Sequence, residues 1–170
     1  MIFVLVAGPP GSGKTTLARP LAATLGLPLI AKDVIKEALM DALGAPTTVE
    51  ESRSLGRAAV GAMLAVARTS PGAVLEGPFY PASVPSLKAL PGTIVEIRCR
   101  CPREVALERY RARSGARHRG HLDADRTDEE LWNEELLRPL GVGSLIEVDT
   151  TGKVDVAALA REVLRIGAVL

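Results

Sequence analysis

The sequence predicts an α/β fold in which a five-stranded parallel sheet lies between two helical layers. Three observations point there. Five short apolar runs alternate with segments of helical spacing. The first run, Ile2 to Val6, is continuously apolar and β-rich, as in a strand covered on both faces. It leads straight into a glycine-rich turn, Gly8 to Gly13, and then into leucines at 17, 21 and 25.

The elements follow in order. Lys14 to Leu25 reads as a helix stopped by Gly26. Leu27 to Ala31 is a second apolar run. Val34 to Leu43 has helical spacing, with Asp33 placed to cap it. Thr47 or Thr48 caps a longer helix through Arg68, which ends at Ser70-Pro71-Gly72. Ala73 to Leu75 is a third strand closing on Glu76-Gly77. Pro78 to Pro91 holds four prolines and is expected to be an irregular loop with a short helix. Thr93 to Cys99 is a fourth strand. Pro102 suits the first position of a helix running to about Arg113. Ser114 to Arg126 is polar, basic and glycine-containing, so it is expected as a mobile loop. Thr127 to Glu130 opens a helix that closes before Pro139. Leu145 to Val148 is a fifth strand, and Val154 to Ile166 the last helix. No repeat or low-complexity linker divides the chain, so residues 1–170 are expected to form one domain.

Composition narrows the class. Apolar residues make up 47% of the chain but aromatic ones only 3%, so the core must be aliphatic. A net charge of +1 gives no argument for a nucleic-acid or membrane partner. No stretch approaches the length of a membrane span, and the N-terminus lacks the pattern of a signal peptide. Cys99 and Cys101 match no zinc or redox spacing. They read as small buried hydrophobes on one face of a strand, in a reducing cytoplasm. His118 and His121, three apart with Asp123 and Asp125 nearby, are weak grounds for a metal site. Oligomeric state leaves no mark.

Gly8-Pro9-Pro10-Gly11-Ser12-Gly13-Lys14-Thr15 satisfies G-x-x-x-x-G-K-[ST]. Each part has a physical task. The glycines let successive N–H groups turn inward as an anion nest. The following helix, with Thr16 in its first turn, aims its positive end at the same point. Lys14 adds a point charge at the β and γ phosphates, and the Thr15 hydroxyl is a Mg²⁺ ligand. The strand before and the helix after supply the required context. The reading is a nucleoside triphosphate, ATP, bound with Mg²⁺ in a P-loop NTPase fold.

With these residues the chain resembles the small P-loop kinases of the nucleoside-monophosphate-kinase-like group. The nearest likeness is to polynucleotide-kinase-like, gluconate- and shikimate-kinase-like, chloramphenicol-phosphotransferase-like and zeta-toxin-like proteins, often labelled AAA-family ATPases. The resemblance covers nearly the whole chain. It implies that Asp33, after the second strand, faces the acceptor hydroxyl as general base; capping the next helix is the competing role. Lys36, one turn on, reads as solvated surface, with an anionic substrate as the alternative. Glu76 resembles the Walker B position and would hold Mg²⁺, although Asp is the commoner residue there; facing the substrate is its competing role. Residues 98 to 126 carry nine arginines against four acids. The resemblance implies a lid whose arginines reach the transferring phosphate, with Arg109, Arg113 and Arg117 as the candidates and the others solvated. The Glu147 to Gly152 segment would pack against the adenine.

Three functions are compared. A phosphotransferase acting on a hydroxyl fits best, with Arg53, Arg57 and Tyr80 as candidate acceptor contacts; if either arginine faces the pocket, an anionic acceptor is favoured. A mechanical or regulatory ATPase is disfavoured by the short chain, the single acid closing the third strand and the lack of a trans arginine finger. A 5′-hydroxyl polynucleotide kinase would need base-stacking aromatics. Only Phe79, Tyr80, Tyr110 and Trp132 could serve, so a small-molecule hydroxyl acceptor is preferred.

Overall fold

A computed structural model describes residues 1–115 and 117–168; Ala116, in the expected lid, lies outside them. Strands β1 (Ile2–Ala7), β2 (Leu29–Ala31), β3 (Ala73–Glu76), β4 (Thr93–Arg100) and β5 (Ser144–Asp149) form one sheet. Its order is β2-β3-β1-β4-β5 and every pairing is parallel. β1 is central because Phe3, Val4, Leu5 and Val6 are all fully buried. A side chain of that kind contributes about 1.5–3 kcal/mol on burial, and here both faces of the strand contribute.

The two faces carry different helices. On one, Val4, Val6, Val95 and Ile97 meet Leu17, Ala18 and Leu21 of α1 (Lys14–Leu25) and Leu159 and Val163 of α8 (Val156–Ala168). On the other, Phe3, Leu5 and Leu75 meet Met63, Leu64 and Ala67 of α3 (Val49–Arg68) and Leu87 of α4 (Val84–Lys88). α2 (Lys32–Leu43) lies on this second side through Ile35. A small third cluster joins Ala106 and Tyr110 of α5 (Arg103–Ser114) to Leu131 and Trp132. Short helices α6 (Asp128–Leu131) and α7 (Glu134–Leu137) stand where one helix was expected. Trp132 ends the first of them, and Asn133 caps the second by accepting from the Leu136 N–H at 3.0 Å. Among the described residues, no helix is long and apolar enough to cross a membrane.

The helix ends follow local chemistry with two corrections. Thr48 caps α3 in a capping box with Glu51, as the sequence suggests. Asp33, however, does not cap α2. Ala31 is the N-cap and makes no side-chain bond, because Lys32 is already helical and Asp33 falls in the first turn. Pro102 precedes α5 as its N-cap instead of opening it. Cys101 lies beyond the end of β4, so it packs with the α5 cluster while Cys99 is in the main core.

β4 alternates two roles. Val95, Ile97 and Cys99 face the α1 side, while Glu96 and Arg98 point to the other and bind backbone. The fully buried Glu96 carboxylate accepts from the N–H groups of Leu140 and Gly141 at 2.8 and 3.1 Å. Arg98 donates to the carbonyls of Leu136 and Arg138. This charged pair fastens the segment that leads into β5.

The basic segment expected as a mobile lid is folded onto α2. It forms 3₁₀ turns at Arg119–His121 and Asp123–Asp125. α2 offers three acids at i, i+4 and i+8. Asp33 lies 3.0 Å from Arg117, Glu37 2.8 Å from His121 and Asp41 3.3 Å from His118. The tautomer of His121 follows from donors alone. Arg117 can only donate and contacts Nδ1 at 3.1 Å, so Nδ1 accepts and Nε2–H donates to Glu37. Burial, and then the Arg117 charge, lower the His121 pKa.

Two outcomes are expected. Glu96→Ala removes the carboxylate that accepts from the Leu140 and Gly141 N–H groups and should lower the unfolding free energy by about 2 kcal/mol, measured by urea denaturation. A histidine with a lowered folded pKa contributes stability that is complete above its unfolded value, about 6.5, and is lost as pH falls. Amide exchange over residues 117–126, corrected for intrinsic rate, should therefore speed up below about pH 6. Protection that stays level down to pH of about 5 would remove His121 from this role.

Candidate active site

The carboxyl ends of β1, β2 and β3 open on one cavity of about 740 Å³. Ligands of parallel α/β sheets bind at this end. The cavity's floor is the turn between β1 and α1, where Gly11 and Gly13 take left-handed backbone with φ of 76° and 82°. Gly11 has a second reason to be glycine. A Cβ there would lie 1.9 Å from the Ala106 carbonyl oxygen of α5. Thr150, after β5, supports the turn from outside, with Oγ1 2.7 Å from the Ser12 carbonyl. The buried Ser12 hydroxyl has no partner among the described residues.

Lys14, Thr15 and Glu76 converge in the cavity. The Lys14 ammonium donates to the Pro9 carbonyl at 2.8 Å. Burial lowers its pKa, while the nearby Glu76 and Asp33 carboxylates pull the other way. Burial also raises the Glu76 carboxyl, against the attraction of Lys14, and a Thr15 hydrogen bond favours its charged form. The Thr15 hydroxyl and Glu76 carboxylate form a compact set of hard oxygen donors. That chemistry suits Mg²⁺, and the glycine turn suits phosphate.

Asp33 faces the same space. Burial acts to raise its pKa, but Lys32 at 2.8 Å and Arg117 at 3.0 Å outweigh that and hold it well below the usual carboxylate range. Arg117 also grips Asp123 through its other nitrogen at 2.7 Å. Arg113 lines the cavity with its guanidinium 5.7 Å from the Tyr110 ring centre. Its buried Nε has no hydrogen-bond partner among the described residues.

Of the other expected residues, Pro10, Arg53, Arg57 and Tyr80 line the cavity. Gly8 and Pro9 are buried beneath the turn, and Thr16 points to solvent from α1. Arg109 lies outside the cavity lining; its two nitrogens donate to the carbonyls of Thr150 and Thr151 at 2.9 and 2.8 Å. It thus ties α5 to the loop that supports Ser12. Lys36 is the clearest departure from expectation. It is 2% exposed, inside the cavity wall, where solvated surface was expected. Lys32 and Arg126 also line the cavity and were not singled out; Asp123, named only beside the two histidines, lines it as well. One sequence signal existed for Lys36: it stands four residues before Met40, the other buried residue of α2.

Comparison with known proteins agrees with this architecture. An AAA domain family model matches residues 4–133. The solved structure of a candidate kinase from Chloroflexus aurantiacus J-10-fl is 31% identical, covers 97% of both chains and superposes with a TM-score of 0.83. Two structures share the fold at 20% identity. One is a gluconokinase from Sinorhizobium meliloti 1021, with a TM-score of 0.62 over 98% of this chain and 91% of that one. The other is a shikimate kinase from Acinetobacter baumannii, solved with shikimate, with a TM-score of 0.56 over 96% and 90%. A curated cytidylate kinase from Pyrobaculum aerophilum is 51% identical over 35 residues, 21% of this chain; the match spans about a fifth of that relative, 19% of its length. The family model, the glycine turn and the sheet order meet in one assignment: the chain belongs to the AAA domain family, among its small P-loop kinase-like members.

Proposed function

We propose that the chain is an ATP- and Mg²⁺-dependent phosphotransferase that moves the γ-phosphoryl group to a hydroxyl of a small molecule. The observation that carries this reading is one cavity lined by Lys14, Thr15, Glu76, Asp33 and Arg117 together. A phosphate cradle and an acceptor carboxylate share one space. Of the four aromatics that could stack on bases, Phe79, Tyr110 and Trp132 are buried. That favours a small acceptor over a nucleic-acid strand.

Residue roles follow from position and charge. The turn from Gly8 to Gly13 offers backbone N–H groups to the triphosphate, and Lys14 meets the developing negative charge. Thr15 and Glu76 are the residues to hold Mg²⁺, which when bound neutralises phosphate oxygens. Asp33 stays ionised and accepts the hydrogen bond of the acceptor hydroxyl, which orients that oxygen. The oxygen then bonds to the γ-phosphorus as the bond to the β–γ bridging oxygen breaks. The electron pair leaves with ADP, and the hydroxyl proton passes to Asp33 and on to water. A strongly basic Asp33 is not needed, because phosphoryl transfer depends chiefly on position and charge. Arg113 and Arg117 supply the remaining positive charge from the basic segment.

A screen of hydroxyl compounds for ADP formation from ATP tests the proposal. Turnover should require an acceptor, and Asp33→Ala should lower kcat by about 100-fold or more. Lys14→Ala should lower it at least as far, with weakened nucleotide binding. ADP release that needs no acceptor and ignores Asp33→Ala would show a plain ATPase instead.

A further inference from the structure

The acceptor half of the cavity is lined by Arg53, Arg57, Lys36 and Arg126, cations that differ in what already neutralises them. Arg57 lies 2.9 Å from Glu50, and Arg53 lies 2.8 Å from Glu130. Both are substantially exposed at the mouth. Lys36 is neither exposed nor paired. Its ammonium donates to Ser52 Oγ at 2.6 Å, and that hydroxyl is 3.3 Å from the Gly120 carbonyl. Among the described residues no carboxylate forms an ion pair with it, so two of its three donors lack a protein partner. Arg126 lines the same space and has no hydrogen bond or ion pair among the described residues. A buried ammonium without a counter-charge is costly to the fold, and a second cation beside it adds repulsion. The groups that act on Lys36 are Lys32, Arg126, Arg117 and Asp33. Asp33 is already shared by Lys32 and Arg117.

The α3 side of the cavity provides room. Gly56, Val60, Gly61 and Leu64 of α3 line the cavity. A Cβ at Gly61 would meet nothing within 4 Å, and one at Gly56 only the end of the Lys32 side chain. Neither position needs glycine for its backbone, and glycine inside a helix disfavours it. What the two glycines add is space beside Val60 and Leu64, suited to a carbon skeleton.

We infer that the phosphoryl acceptor is an anion: a small hydroxy compound whose carboxylate or phosphate group is held by Lys36 and Arg126. Lys36 and Asp33 are three residues apart on α2, about one helical turn. The acceptor's anionic group and its reacting hydroxyl are therefore separated by a similar span. This inference rests on reading the cavity as a kinase acceptor site and adds the acceptor's charge and its holders.

Calorimetry on the full chain with saturating Mg-ADP tests it. Two matched probe pairs are titrated, D-gluconate against sorbitol and glycerol 3-phosphate against glycerol; the two anions separate a carboxylate site from a phosphate site. At least one anion should bind ten-fold or more tightly than its neutral partner. Lys36→Met should remove at least ten-fold of that affinity while leaving Tm unchanged or higher, since it deletes a buried unpaired charge. Arg126→Gln should weaken the same anion several-fold and serves as the deciding variant if Lys36→Met does not fold. Burial, then like charges, lower the Lys36 pKa to about 8, so affinity should fall as pH rises past about 8. Equal binding of neutral and anionic probes, failure of both anions, or affinity untouched by both substitutions would overturn the inference. ADP binding, read separately in the same instrument, tells a failed kinase reading from a failed acceptor reading.

Discussion

The approach of Gly11 to the Ala106 carbonyl governs how the rest of the active site is assembled. The turn after β1 has to curl inward to present N–H groups, and α5 presses against its back. Only a residue without a side chain, in left-handed backbone, fits between them. The contact fixes α5 relative to the floor of the cavity, and α5 ends in the basic segment. Arg109 on the same helix then grips the loop after β5, and Thr150 in that loop meets the Ser12 carbonyl. Floor, helix and loop thus form a closed circuit of contacts.

Charge is organised on that frame by position instead of by number. A chain of net +1 concentrates cations around one cavity. Some are neutralised within the protein, as Arg53 and Arg57 are; Lys14 and Lys36 are buried and hydrogen-bond to a carbonyl and a hydroxyl oxygen. Asp33 is the acid around which the others gather. Its two cationic partners come from the adjacent residue and from a segment 84 positions away. Such an arrangement is stable only while both elements stay docked, which links the acceptor wall to the basic segment.

Much of the fold is legible in the sequence because it is written locally. The continuous apolar run of β1, the glycine turn and the leucine spacing of α1 each report a period or a backbone demand. So does the Thr48 capping box. What escapes depends on contacts distant in sequence. Asp33 looks like a cap because Asp before an apolar-periodic run usually is one; the helix begins two residues earlier than that pattern suggests. Lys36 looks like surface because lysine rarely accepts full burial. Its environment is made by Ser52, 16 residues along the chain, and by Gly120, a further 68 beyond Ser52. The 114–126 segment looks loose by composition, yet its bases meet a helix whose acids carry no local sign of being partners. Arg109, Arg113 and Arg117 look equivalent in sequence, and tertiary packing separates them into a loop brace, a cavity wall and a carboxylate clamp.

The acids of α2 that receive the basic segment also restrict how this chain can vary in length. Asp33, Glu37 and Asp41 face their partners because four residues advance the helix by slightly more than one full turn. Exchanging one of them loses a single contact with the basic segment. Adding or deleting one residue between them rotates everything beyond it by about 100° and takes later members of the stripe out of reach together. Point substitutions along α2 are therefore a graded change, whereas insertions and deletions are all-or-none. Length variation among proteins built on this plan belongs in the loops before Thr48 and after Glu76, where no such register is kept.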